Sequence, residues 1–236
     1  MAEGWRGLIE LILRNGRFAG VNALHSVVSF YIIKMNGGSF MVQVLKSELR
    51  EAILNAACEE FAEYGYAEAS VKRIADKVAI SAGNLYRYFA GKEALFDAVV
   101  EPANQDLDYM INGHGEGTQA KGEGAVIDSI VQVLTDIAQK RRVQLLILIY
   151  GSKGTRHEGA MLSVNQMMAN HLIGHLSAYN KKQPLEPLDE DVAMSISAAF
   201  MQGYFETIRR NSDSEACKRM IRQYLLIWYK GLQTFL

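Results

Sequence analysis

From Lys46 to Tyr64 the apolar positions Leu49, Ile53, Ala56, Ala57, Phe61 and Tyr64 recur every three to four residues. That spacing predicts one face of a helix. Gly65 is placed to end it as a left-handed cap residue. Ser70 has the chemistry of a side-chain cap for a second helix, whose buried face would be Val71, Ile74, Ala75 and Val78. Ala79-Ile80 forms a turn, Ser81 caps a third helix, and Leu85 and Phe89 face inward. Gly91 breaks that segment. Lys92-Glu93 then opens a fourth helix that packs Leu95, Phe96 and Val99.

The pattern stays helical to the end of the chain. Lys92 to Asn112 reads as one helix with Pro102 inside it, which should kink or divide it, as a hinge or as a simple break. Gly113 to Gly124 is glycine-rich and polar, hence a loop. No strand precedes it and no Gly-Lys-Ser/Thr follows, which argues against a phosphate loop. Ala125 to Gln139 carries an apolar stripe through Ile127, Ile130, Val131, Leu134 and Ile137. Arg141 to Tyr150 is apolar all round and reads as a buried central helix. After Gly151 to Gly154, His157 to Asn180 forms another helix, and Pro184 and Pro187 bound a short loop. Asp189 to Arg210 and Asp213 to Phe235 are the last two helices, striped by Ile196, Phe200, Tyr204 and Ile208 and by Ile221, Tyr224, Leu225, Trp228 and Leu232.

Composition narrows the class. Hydrophobic residues are 49% and charged residues 22% of the 236, as in a folded soluble protein rather than a disordered one. Three prolines and few alternating Val/Ile/Thr runs favour an all-α fold. Cys58 and Cys217 lie far apart inside helical patterns, so there is no disulfide framework, and a reducing cytoplasm is the simplest location. In residues 1–40 the apolar patch Val27 to Ile33 is too short to span a bilayer, and Glu3 and Glu10 break a signal-peptide pattern. Two readings stand for this extension: a flexible arm, or a misplaced start with true initiation at Met41. Codons for Gly37 and Gly38 can spell a purine-rich ribosome-binding site ahead of Met41.

A net charge of −1 first argues against a nucleic-acid partner. Within residues 41–100, seven basic residues (Lys46, Arg50, Lys72, Arg73, Lys77, Arg87, Lys92) face nine acids. Position matters more than the sum. Glu59, Glu60 and Glu63 fall on the first helix, while the basic residues flank the two-helix motif, which predicts a local positive patch. Three short helices around a small core are the layout of a helix-turn-helix domain, whose second motif helix enters the major groove N-terminus first. Ser81, Ala82, Gly83 and Asn84 sit there. Glycine inside a helix costs about 1 kcal/mol relative to alanine, and close approach to a phosphate is a reason to keep it. Asn84 can pair with adenine and Arg87 with guanine. Ser70, Arg73, Tyr86, Tyr88 and Lys92 suit phosphate contacts, which position without specifying.

The run Phe61-x-x-x-Gly65-Tyr66, Ser70-Val71-x-x-Ile74-Ala75 and Ser81-x-Gly83-x-Leu85-Tyr86-x-Tyr88-Phe89-x-x-Lys92-Glu93-x-Leu95 resembles the TetR family of transcriptional regulators, over residues 46–100. The resemblance implies that residues 70–89 are the helix-turn-helix and that Lys92 touches phosphate at the start of the fourth helix. One position departs from the family pattern: Ala79 stands where a glycine is usual. If that residue needs positive φ, alanine costs roughly 1 kcal/mol there. A chain counted from Met41 would have the family's usual size.

These readings define an all-α protein: an extension over 1–40, an N-terminal three-helix DNA-binding domain over 46–106, and a larger helical ligand-binding and dimerisation domain over 107–236. The apolar stripes of the last two helices either fill one subunit's core or meet a second copy through Ile196, Tyr204, Ile221, Tyr224, Leu225 and Trp228. A two-fold dimer sets two recognition helices about 34–36 Å apart, one turn of DNA, and the resemblance implies a four-helix contact of that kind. Met110, Tyr150, Met161, Met168, His171 and Phe200 are candidates for a small-molecule pocket, since methionine and aromatic linings adapt to apolar ligands. His171 and His175 share a helix face but have no third ligand nearby in sequence, so no metal is assigned, and no cofactor is implied. No nucleophile elbow, His-Glu-x-x-His or Cys-x-x-Cys is present, which argues against an enzyme. The expected function is a cytoplasmic regulator, a repressor that an unknown effector releases from a palindromic operator. The alternative is a helical protein-interaction module with no ligand response.

Overall fold

The computed structural model describes residues 39–112, 123–183, 185 and 187–232, and within them every regular element is a helix. The readings of residues 1–38, of most of the glycine-rich loop, and of the last four residues fall outside this range. The helices are α1 (Ser39–Glu68), α2 (Val71–Lys77), α3 (Ala82–Leu85), α4 (Lys92–Asn112), α5 (Glu123–Tyr150), α6 (Ala160–Lys182), α7 (Val192–Arg210) and α8 (Ser214–Leu232). None is long and apolar enough to cross a membrane.

The predicted breaks lie where the backbone changes, with differences in kind. Gly65 sits at φ 67, ψ 174 inside α1. This is not the left-handed cap expected but an extended positive-φ region essentially restricted to glycine. Helical bonding resumes past it, from the Ala69 N–H to the Gly65 carbonyl at 3.1 Å. Arg141 interrupts α5 at φ −124, ψ 15, at the predicted junction of its amphipathic and fully apolar halves. Pro102 lies inside α4 without dividing it, so the helix runs unbroken from the small N-terminal domain into the larger one. α6 starts at Ala160, not His157, because Gly159 holds φ 83 and the residues before it form turns.

One apolar core runs through both parts of the chain. Ile53, Ala57 and Phe61 of α1 meet Ile74, Leu85, Leu95 and Phe96, and the same cluster continues along α4 to Leu145 and Leu148 of α5 and to Met201, Tyr204 and Phe205 of α7. Two glycines let the parts touch through backbone. The Tyr66 N–H donates to the Gly151 carbonyl at 2.8 Å, and a Cβ on Gly151 would lie 3.0 Å from the Ile147 carbonyl. Near this contact Asp97 of α4 accepts from Arg156 at 3.1 Å and pairs with His157 at 2.9 Å.

The last two helices correct the expected dimer contact. Tyr204, Ile221 and Leu225 are buried in the subunit's own core, and the Tyr204 hydroxyl donates to the Leu134 carbonyl. Tyr224 donates to the Phe200 carbonyl at 2.7 Å, lying against Gly203, where an added Cβ would come within 2.6–2.8 Å of ring carbons. Ile196 and Trp228 line a half-open cavity of the same subunit. The strongest apolar stripe goes to the nearest large core, since burial scales with apolar area. The outward faces carry weaker residues: Ser195, Ala199 and Gln202 on α7, and Met220, Gln223 and Ile227 on α8, the last 73% exposed.

Candidate nucleic-acid interface

The turn between α2 and α3 is built by two serine caps. Ser70 Oγ accepts from the Arg73 N–H at 3.4 Å, and Ser81 Oγ accepts from the Asn84 N–H at 3.1 Å. Each satisfies one of the donors that a helix start leaves free. Between them Ala79 takes φ 55, alone in positive φ among the described non-glycine residues. The departure from glycine noted in the sequence is therefore a real backbone cost.

A buried acid locks the pair of helices. Glu60 of α1 is only 1% exposed. Its carboxylate accepts from the Ser70 N–H at 2.9 Å and from Arg73 Nε at 2.7 Å. Burial works to raise its pKa, but the hydrogen bonds from Arg73 and Ser70 and the charges of Arg73 and Lys77 outweigh burial and hold it below the usual carboxylate range. Sequence reasoning set Glu60 aside as a remote acid. The missed signal is its place on the inward stripe, seven residues after Ile53 and three after Ala57.

Two expected phosphate ligands, Arg73 and Lys92, make contacts inside the domain. Arg73 is held by Glu60, donates to the Glu68 carbonyl at 2.9 Å, and lies over the Tyr64 ring at 4.4 Å. Lys92 donates to the Ala67 carbonyl at 3.1 Å, capping the end of α1, with its ammonium 4.6 Å from the Tyr66 ring centre. Desolvation lowers the Lys92 pKa, chiefly through burial against these groups. Lys77 pairs with Glu59 at 3.3 Å. Of the seven basic residues of this segment, Lys46, Arg50, Lys72 and Arg87 are left with no ion pair to an acid among the described residues.

Three of these four converge. Lys46, Ser47 and Arg50 of α1 face Asn84, Arg87 and Tyr88 across an open cleft beside α3, with the Arg50 guanidinium 5.0 Å from the Phe89 ring centre. Lys46, Ser47 and Arg50 were not among the expected contacts, although Lys46 and Arg50 sit one turn apart, as a shared helix face requires. Tyr86 and Arg87 project outward, Tyr86 at 49% exposure. Ala82 and Tyr88 are half-buried against the core, so they present only part of their surface. Gly83 is exposed, and a Cβ there would meet nothing closer than Ser81 Oγ at 3.9 Å. Nothing among the described residues requires that glycine.

A capped two-helix unit with a short α3, polar groups at its start and a basic cleft alongside has the architecture of a helix-turn-helix DNA-binding domain. Comparison with known proteins finds likeness over the same segment. Residues 53–99 match the model described as bacterial regulatory proteins, tetR family. The chain is 51% identical over 51 residues to the HTH-type transcriptional regulator UidR of Escherichia coli (strain K12), covering 22% of this chain and 26% of that protein. An HTH-type transcriptional repressor of Mycobacterium tuberculosis is 39% identical over 61 residues, 26% of this chain and 31% of the relative. The matches thus span about a quarter to a third of those relatives' lengths. The fold extends further. A transcriptional regulator from Aquifex aeolicus VF5 superposes with TM-score 0.54 at 16% identity, covering 76% of this chain and 98% of that one. PfmR, a TetR family regulator from Thermus thermophilus, gives the same score at 17% identity over 76% and 98%.

Proposed function

We propose that this chain is a dimeric DNA-binding transcriptional regulator, a repressor released from a palindromic operator by a small molecule. The observation that carries the DNA-binding part is the cleft in which Lys46 and Arg50 of α1 stand beside Asn84 of α3 and Arg87 in the turn that follows it. Asn84 and Arg87 are assigned to base edges, and Lys46, Arg50 and Tyr86 to phosphates. Ser70 and Ser81 shape the turn through their caps, and Arg73 and Lys92 brace the domain from behind.

The dimer is assigned to the outward faces of α7 and α8. Ser195 and Ala199 are small enough for close helix approach, and Ile227 supplies an apolar anchor. Two copies related by a two-fold axis would present two α3 helices to one face of DNA.

The ligand part rests on a half-open cavity of about 260 Å³ lined by α4 to α8. Four of the six residues expected for a pocket line it: Met110, Met168, His171 and Phe200. Tyr150 lies instead on an outer groove between α1, α5 and α7, and Met161 packs against the main core. The route from cavity to DNA is short. α4 lines the cavity with Met110 and Ile111 and continues back to Asp97, which meets Arg156 and His157. A ligand that shifts α4 or α5 would reorient the DNA-binding domain through these contacts, with a coupling of about 1–3 kcal/mol shared by both ligands.

The test is selection of bound duplexes from a randomised pool by the full chain. The expected product is a palindrome with half-sites about one helical turn apart, bound by a species that sediments as a dimer or a higher even oligomer. Enrichment of no sequence, or binding by a monomer to a single half-site, would contradict the proposal.

A further inference from the structure

The cavity wall carries almost no polarity. Ten of its twelve described lining residues are Met110, Ile111, Ile130, Val133, Leu134, Met168, Leu172, Ile196, Phe200 and Trp228, and the other two are Ser197 and His171. No carboxylate, ammonium or guanidinium of the described residues lines it. Ser197 is 1% exposed, and its hydroxyl has no hydrogen-bond partner among the described residues. A buried hydroxyl left unpaired costs about 1–3 kcal/mol, and an occupant that pairs with it recovers that cost. His171 stands at the rim, exposed, its Nε2 3.4 Å from that of His175. Desolvation, with the neighbouring His175 adding to it, lowers the His171 pKa and favours the neutral ring.

Resting on the ligand-released reading above, we infer that the effector is an uncharged, predominantly apolar molecule that places a single hydroxyl or carbonyl on the Ser197 hydroxyl. An anion would have to shed its hydration among aliphatic side chains with no counter-charge, which costs several kcal/mol. A cation would meet no carboxylate, and attraction to aromatic faces of about 2 kcal/mol does not offset its desolvation. A polyol would leave most of its hydroxyls without partners. Size fits the same class. An apolar cavity of about 150 Å³ holds benzene, so this larger one has room for a fused bicyclic ring.

The probes that decide are 2-naphthol, naphthalene and 2-naphthoate, titrated calorimetrically into the full chain and into Ser197→Ala. Both neutral compounds are expected to bind the wild type. Ser197→Ala should weaken 2-naphthol about tenfold and leave naphthalene unchanged. Binding of 2-naphthoate within tenfold of 2-naphthol, an equal shift of both neutral probes in Ser197→Ala, or no binding of either neutral probe at millimolar concentration would overturn the inference. Affinity for the selected duplex is followed in the same samples. Loss of DNA affinity on adding 2-naphthol supports both readings. Binding of 2-naphthol that leaves DNA affinity intact overturns ligand release while the assigned chemical class stands.

Discussion

Gly83 offers a substitution whose effects on folding and on DNA binding should have opposite signs. It is the second residue of α3, after the Ser81 cap. Its φ is not positive, since the described glycines with positive φ are Gly65, Gly154 and Gly159. An added methyl would meet only Ser81 Oγ at 3.9 Å, an ordinary contact. Alanine in a helix interior is favoured over glycine by about 0.8–1 kcal/mol, and restricting the unfolded chain accounts for about 0.4–1 kcal/mol of such gains. Near the end of a helix this short, about half to all of that applies, so Gly83→Ala should stabilise the fold by roughly 0.5–1 kcal/mol. In a domain of this size that raises Tm by about 1–4 °C. On DNA the same methyl stands between the α3 backbone and the groove, and affinity for the selected duplex should fall at least about tenfold, or about 1.4 kcal/mol. Thermal unfolding and fluorescence anisotropy on one preparation measure both. A variant that binds DNA as well as the wild type would refute the close approach. A variant that unfolds more easily would refute the open space around Gly83.

Other positions carry their own tests. Ala79→Gly relieves a left-handed strain of about 1–2 kcal/mol and adds about 0.4–1 kcal/mol of unfolded-state entropy cost. Urea unfolding should therefore show a small net stabilisation, and a loss would mean that Ala79 is not strained. Glu60→Ala strands Arg73 and the Ser70 N–H. It should cost about 2–3 kcal/mol, below the roughly 3–5 kcal/mol of a fully buried pair because Arg73 is half exposed. Because the folded-state pKa of Glu60 is lowered, its contribution is complete above the ordinary carboxylate pKa and is lost as pH falls through the lowered folded value. Glu60→Gln should flatten the acid limb of stability against pH, and an unchanged limb would contradict the lock. Ile227→Glu places a charge on the outer face of α8 and should shift sedimentation toward monomer while costing no more than about 0.5 kcal/mol of stability. A persistent dimer would move the interface elsewhere.

The DNA-binding unit was legible because its determinants are local. Ser70 and Ser81 cap helices three residues away, Gly65 and Gly91 interrupt, and Ala79 falls at the one turn position that demands positive φ. Fold class and helix order followed from periodicity, and even the break at Arg141 was visible as a change from a striped to an all-apolar pattern. Non-local pairing was not legible. Glu60 meets Ser70 and Arg73 only after α1 and α2 cross, so the sequence offered Arg73 as a free cation. On α7 and α8 an apolar stripe states that something must be covered but not by what. Tyr204, Ile221 and Leu225 are covered by the subunit itself, which leaves the weaker face around Ala199 and Ile227 outward. Tyr150 went astray for a similar reason: at the end of α5 it has turned past the cavity to the outer groove.

If α3 reads DNA, it does so through Asn84. The most direct test compares Asn84→Ala with the wild type on the selected duplex and on a scrambled duplex of the same composition. The expected result is a loss of about 1–3 kcal/mol on the selected site, relaxed preference at one base position, and almost no change on scrambled DNA. Equal losses on both duplexes, or no loss on either, would contradict the assignment.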